Sequence, residues 1–428
     1  MIPSTHICRY WRASIISTPE NWALISSRNE NLAVLSLQRA KAAPLNIHLD
    51  MTQTRKIPGF SDLLASHIHN TETLHVCFYP AIQKLTRIFP NFPQSMPILK
   101  SLSLVGKTKD LKQSIDPFGP LTTLTSLSLI SVPFYPSLHR LRTLTDLTLR
   151  VYLFKHHLDT LLDFLEANRS LERTVLEIGF SEPSLRSSRR RVAIRNHLQS
   201  LTICSPFAVD ADAFISSIAL QKGAHLELSL LYRDAGLSDV LPIFSLDHLP
   251  NLQSPTLMKY RPDNGVVRLL GPNGSFSFET MSCFMDPFVE LPLLHLTNVR
   301  VFHIRREPDL FPIGSITFPS PSLPVLETLI VECEDTIPHL FSTLLSNPSS
   351  SPSLKTLAFL DCDLDEDFME QLTQFASNRK NTTLAWLYRV VIVNSKGILP
   401  RFASIEALGK YVSVVDVRIG NKLPADLV

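Results

Sequence analysis

Six segments of the chain share one order of apolar and polar positions: Leu99-Leu102-Leu104, Leu124-Leu127-Leu129, Leu144-Leu147-Leu149, Leu198-Leu201-Ile203, Leu326-Leu329-Val331 and Leu354-Leu357-Phe359. In five of them a polar or small residue separates the last two apolar ones, and in the segment from Leu326 that residue is Ile330. That alternation sends successive side chains to opposite sides of an extended chain and predicts a short strand with one face inward. Weaker copies fill the intervals: TETLHV before Cys77, LERTVLEI from Leu171, HLELSL from His225, LQSPTL from Leu252 and NVRVFHI from Asn298. Elsewhere the period changes. HHLDTLLDFLEAN from His156 and DEDFMEQLTQFASN from Asp365 carry apolar residues at three- and four-residue intervals, which predicts amphipathic helices. Asp365 is the expected amino-terminal cap of the second helix, with Glu366 and Asp367 at its positive end.

The phrase LTSLSL at Leu124 returns as LTDLTL at Leu144, twenty residues on, and starts elsewhere lie up to 28 residues apart. Such spacing falls in the leucine-rich-repeat range of roughly 20 to 29 residues. Burying three leucines does not offset the backbone entropy of ordering one such unit, so the units must stack on one another. The chain therefore resembles an α/β leucine-rich-repeat solenoid, or horseshoe, with parallel strands on the concave face and helices or irregular segments outside. Cys362 falls where that repeat accepts Asn or Cys. The resemblance covers about residues 70–420 and is strongest at 95–205 and 320–380. We assign 46–428 to the repeat domain, irregular at 231–290, where Pro255 interrupts an expected strand. There VVRLLGPNGSFSFE, with Gly271-Pro272-Asn273-Gly274, reads as a hairpin. The Pro-Ser tracts at 182–188 and 347–353 read as loops between repeats.

Residues 1–45 stand apart. In HICRYWRASIISTPENWALI, Ile7, Tyr10, Trp11, Ile15 and Ile16 fall on one side of a helix expected to end before Pro19, with Trp22 folded back on it. One reading is a helix that shields the open end of the first repeat, as a solenoid requires. The other rests on the order Cys8, Trp11, Arg12, Pro19, Trp22, which resembles the last third of an F-box, a VCRxWR-like helix followed by Pro-x-x-Trp. LAVLSLQRAKAAPLNIHLD then looks like the joining segment of fungal F-box proteins that carry leucine-rich repeats. The match is to an amino-terminally truncated F-box, without the opening Leu-Pro-x-Glu-like segment. The resemblance implies a substrate receptor of a Skp-cullin-F-box ubiquitin ligase. Ile7, Cys8, Trp11, Arg12, Pro19 and Trp22 would then contact the Skp-family adaptor, and the repeats would hold an unidentified client protein.

Composition changes this picture little. With 44% hydrophobic and 19% charged residues the chain has the profile of a folded protein. Lys plus Arg number 41 and Asp plus Glu 39, a net charge of +2, so no global field draws nucleic acid or an anionic membrane. No apolar run is long enough for a membrane helix, and the expected location is cytoplasmic, nuclear or both. Six scattered cysteines without a CxxC pair are expected to be reduced thiols rather than a disulfide framework or a zinc site.

Sharper chemistry is expected to be absent. Gly106-Lys107-Thr108 mimics a phosphate loop but has Ser101 where the first glycine belongs. DCDLDED from Asp361 fails a calcium loop at Glu366 and Leu372. The basic run Arg186–Arg195 reads as a solvated loop, with an import signal or a phosphate patch as alternatives. The paired histidines at 67–69 and 156–157 lack further local ligands. No catalytic motif, metal site or cofactor is predicted. Function is expected on the residues that flank the inward leucines: Ser126, Ser128 and Ile130; Asp146, Thr148 and Arg150; Ser200 and Thr202; Thr328, Ile330 and Glu332; Thr356, Ala358 and Leu360. Mostly small and neutral, they suit a protein partner rather than a phosphate backbone. The alternative to a ubiquitin-ligase receptor is a repeat scaffold or inhibitor with no ubiquitin role.

Overall fold

A computed structural model describes residues 9–51, 60–78, 96–106, 121–132, 141–153, 157–180, 192–194, 197–231, 248–261, 266–280, 296–305, 323–332, 351–362, 364–381, 385–394, 399–420 and 422–427. The protein is mixed α/β, its strands pairing mostly in parallel. It divides into two compact units, Met1–Leu201 and Thr202–Val428.

The first unit opens on helix α1 (Arg9–Ser17), a 3-10 turn (Pro19–Trp22), strand β1 (Leu24–Ser26) and helix α2 (Glu30–Ala40). Asn29 caps α2, its side chain accepting the Leu32 amide at 3.1 Å, with Glu30 in the first turn and Arg39 in the last. Then follow β2 (Leu45–Asp50), α3 (Phe60–His67), β3 (Thr71–Phe78), β4 (Ser101–Gly106), β5 (Ser126–Ile130), β6 (Asp146–Leu153), α4 (His157–Ala167), β7 (Arg173–Phe180), β8 (Val192–Ala193) and the start of β9 (Ser200–Ser205). Strands β1 to β7 pair in chain order, all in parallel. The register stacks Leu74, Leu102, Leu127 and Leu147 in one row and Val76, Leu104, Leu129, Leu149 and Leu176 in the next. All of these are buried. The leading leucines Leu99, Leu124 and Leu144 are buried just before their strands. A hydroxyl residue precedes the leading leucine of the next turn and ties one turn to another. Thr123 Oγ1 donates to Leu99 O at 2.9 Å, Thr143 Oγ1 to Leu124 O at 2.7 Å and Ser170 Oγ to Leu144 O at 2.9 Å. Gly106, from the phosphate-loop mimic, ends β4 where a Cβ would lie 2.6 Å from the Ser131 carbonyl oxygen, so close packing explains it. This ladder begins at Leu24, inside the segment 1–45 set apart by sequence.

In the second unit the elements are α5 (Ala208–Ser216), β10 (Ile218–Ala219), β11 (His225–Leu230), β12 (Leu257–Arg261), β13 (Val266–Gly271), β14 (Gly274–Thr280), β15 (Val301–Arg305), β16 (Thr328–Glu332), β17 (Thr356–Leu360), α6 (Glu366–Lys380), β18 (Arg389–Asn394), α7 (Phe402–Gly409) and β19 (Val414–Ile419). The irregularity expected at 231–290 is a hairpin: β13 runs antiparallel to β12 and to β14, while β11–β14 and β12–β15 pair in parallel. Its turn needs Gly274, which has φ 121° and a position where a Cβ would run into the Ala224 carbonyl. From β15 to β19 the strands again pair in parallel and in chain order. Helix α6 begins where expected, the Asp365 side chain accepting the Phe368 amide at 2.7 Å. It buries Phe368, Met369, Leu372 and Phe375. Among the described residues, no helix is long and apolar enough to cross a membrane.

Candidate functional site

The six residues expected on β5 and β6 form one block, because the register pairs Ser126 with Asp146, Ser128 with Thr148 and Ile130 with Arg150. Arg150 is exposed and the other five are partly exposed. The charges on this face are matched across strands. Asp146 accepts from Thr145 Oγ1 at 2.8 Å and from Arg173 Nε at 2.5 Å, and Arg150 Nε lies 3.7 Å from Glu177. Exposed pairs of this kind orient side chains while contributing little stability.

The same register extends the central row beyond the predicted residues, through Ser103 and His75 to His48. The His48 and His75 rings are 5.3 Å apart, and Cys77 Sγ lies 3.2 Å from His75 Nε2. Burial, and after it the neighbouring His48, lowers the His75 pKa below its ordinary 6.5. Sequence reasoning missed these histidines, although the alternation in LNIHLD and TLHVCF carries the signal: each His sits between two inward apolar residues. Among the described residues, no group of three or more His, Cys, Asp or Glu is placed to hold a metal ion.

In the second unit, Thr328 and Glu332 are partly exposed. Glu332 accepts from His303 Nε2 at 3.2 Å and pairs with Arg305 Nε at 3.3 Å. The bond from His303 is the largest influence holding its carboxyl below the usual 4.5, with Arg305 and Arg261 adding to it. Thr202 donates to Glu227 Oε2 at 2.9 Å.

Four of the expected outward residues need correction. Ile330 is 2% exposed and Leu360 7%, and Thr356 and Ala358 beside them are also buried. They face away from the leucine core, as predicted, but a second apolar layer lies there. Ile330, Ala358, Leu360, Val391 and Val393 form one cluster with Val301, Leu423 and Leu427 packed against it. Arg389 anchors the covering segment through Asp426, at 2.5 Å, and also reaches Asp416 at 3.2 Å.

The amino-terminal residues divide similarly. Ile7 and Cys8 lie outside the described residues, as do the arginines of Arg186–Arg195; Trp11 lies in α1. Arg12 is exposed, and Pro19 begins the 3-10 turn. Trp22 does not present itself to a partner. It is 2% exposed, its indole N–H donates to Ile15 O at 2.9 Å, and the Arg39 guanidinium sits 4.5 Å over its ring. Tyr10, by contrast, is 77% exposed on α1.

No protein-family model matches this chain, and no curated protein matches it in sequence.

Proposed function

We propose that the chain is a leucine-rich-repeat solenoid that recognises a protein client on the concave face of its strands and presents it to a Skp-cullin-F-box ubiquitin ligase. One observation carries the recognition half. Across β2 to β7 the outward side chains stand in register in parallel rows, with hydroxyl residues Ser103, Ser128 and Thr148 central and cross-strand charge pairs beside them. Small hydroxyls let a partner's backbone approach closely and accept or donate hydrogen bonds, while the rows contain too few unpaired cations for a nucleic-acid backbone. Such a face needs no reacting group, and the role proposed for it is recognition.

The ubiquitin half rests on the F-box-like order in residues 7–22, supported by the exposure of Tyr10 and Arg12 on α1. The burial of Trp22 between α1 and α2 favours the second reading, a repeat scaffold in which this helix is only a cap. Adaptor binding separates them. Purified Skp-family adaptor is titrated onto the full chain and onto a Tyr10→Ala, Arg12→Glu variant, which leaves Trp22 in place. The receptor reading expects binding that weakens by about tenfold or more in the variant, as loss of an exposed anchor does. An intact chain that does not bind removes the ubiquitin half and leaves the scaffold.

A further inference from the structure

The five apolar residues on the outward face of β16, β17 and β18 make a patch that this protein already covers with its own Lys422–Leu427 segment. How that segment is held is informative. Its 3-10 turn is closed by Leu427 N to Pro424 O, and the last preceding backbone link to the sheet is Gly420 N to Asn394 O. Among the described residues, no backbone hydrogen bond ties 422–427 itself to a strand. It is held through side chains. Leu423 and Leu427 are half-buried on the patch, Pro424 beside Leu423 is buried, and Asp426, its side chain still 65% exposed, pairs with Arg389. A strand of the core is fixed by both ladder and burial; this segment has only contacts that a second peptide of the same chemistry could reproduce.

We infer that the β16–β18 face is a peptide-docking site whose ligands carry two leucines four positions apart with an aspartate just before the second, and that Lys422–Leu427 occupies it as an internal competitor. The apolar cluster takes the two leucines, and Arg389 reads the carboxylate. Arg389 is well placed for this, because Asp416 holds it from the other side and Arg418 in turn engages Asp416 at 2.8 Å. The arrangement explains why three successive strands put Ile330, Ala358 and Val391 in the central row where β5 and β6 put Ser128 and Thr148, with Leu360 and Val393 in the row beside it. A tethered ligand acts at an effective concentration on the order of millimolar, so a partner segment gains entry only by binding better or by meeting the site in its open fraction. Docking here would be independent of the adaptor and of the face of the first unit.

The test uses a fluorescent peptide of the sequence GNKLPADLV, residues 420–428, and the full chain. Fluorescence anisotropy compares the parent with a Leu423→Asp, Leu427→Asp variant in which the internal copy is ejected, circular dichroism verifying the fold. The expected result is that the variant binds the peptide about tenfold or more tightly than the parent, since occlusion lowers apparent affinity by the open fraction. An Asp426→Arg peptide should lose that binding. Equal or absent binding to a folded variant overturns the proposal. Should the double variant fail to fold, an Asp426→Arg single variant of the full chain, which sets two cations against each other at Arg389, takes its place in the same titration. Tighter peptide binding than the parent supports a displaceable segment, and equal or absent binding makes the segment part of the core and overturns the idea.

Discussion

Strands β5 and β17 carry the same inward frame and opposite outward faces. In β5, SLSLI buries Leu127 and Leu129 and leaves Ser126, Ser128 and Ile130 partly exposed. In β17, TLAFL buries Leu357 and Phe359 inward and Thr356, Ala358 and Leu360 outward. Their neighbours follow suit: Ser128 pairs with Thr148, and Ala358 with Val391. The inward parity builds the ladder and is indifferent to what lies on the other side. The outward parity decides whether that side remains a surface or becomes a second core, here closed by Leu423 and Leu427.

The sharpest way to break this comparison is to put the same charge on both strands. Ala358→Asp places a carboxylate in a layer of aliphatic side chains and should destabilise by about 3–5 kcal/mol, the cost of burying a charge there. Ser128→Asp, at the matching position of β5, should stay within about 0.5 kcal/mol because water reaches it. Urea midpoints of the two variants measure the contrast. Comparable losses at both sites would mean that the β5 face is covered as well.

The signal for this difference is present in the sequence, and a repeat-first reading passes over it. SLSLI and DLTLR alternate strictly, whereas TLIVE, TLAFL and RVVIVN are apolar at both parities, as strands buried on two faces are. What no local pattern supplies is the cover. Leu427 lies 97 positions after Ile330 (427 − 330), and nothing in KLPADL marks it as a partner for those strands. The frame itself was legible. Each Leu-x-x-Leu-x-Leu phrase became a buried leucine followed by a strand, the two helical periods became α4 and α6, and Gly271–Gly274 became the hairpin turn. LNIHLD was legible in principle too, being a strict alternation with Leu45, Ile47 and Leu49 inward, but its position next to an F-box-like segment drew it out of the ladder to which it belongs.

A second contrast concerns how the turns before the strands are held. In the first unit single hydroxyls do this, Thr143 bonding Leu124 O being the shortest of them. Before β17 one such hydroxyl, Ser353 Oγ, donates to Pro324 O at 3.2 Å, and a guanidinium is added to it. Arg379, fully buried in α6, donates to Ser351 O at 2.9 Å, Pro352 O at 3.2 Å, Leu354 O at 3.0 Å and Ala385 O at 3.0 Å. Burial lowers its pKa to about 10, so the site charges a desolvation cost that these carbonyls only partly offset. Arg379→Met fills the volume but takes one donor from each of four carbonyls, of which Ser351 O and Pro352 O keep the Leu354 and Ala385 amides, and we expect a loss of about 3 kcal/mol. Arg379→Lys should recover little, since one ammonium cannot span the fork. Thr143→Val should cost about 1 kcal/mol. Thermal or urea unfolding orders the three variants, and an Arg379→Met protein as stable as the parent would show that the carbonyls find other donors.

The smallest effect separates the two units by pH. His75 has its folded pKa below 6.5, so the unfolded chain binds more protons just under that value. Its contribution is present above about pH 6.5 and is lost as pH falls through the folded value. Glu332 has its folded pKa below 4.5 and the same sign, but its contribution persists to lower pH and is lost only beneath 4.5. Acidification should therefore weaken the β2–β3 face before it weakens the β15–β16 face. His75→Gln should flatten the fall in urea midpoint between about pH 7 and 5, and His48→Gln should flatten it less, since His48 is the lesser cause. Glu332→Gln should leave that window untouched and flatten the limb below it. Both groups are partly exposed, so each change should stay below about 1 kcal/mol. If His75→Gln altered only the limb below pH 4.5, the histidine pair would have no part in the loss between about pH 7 and 5, and the face of the first unit would respond to acid no earlier than the Glu332 face of the second.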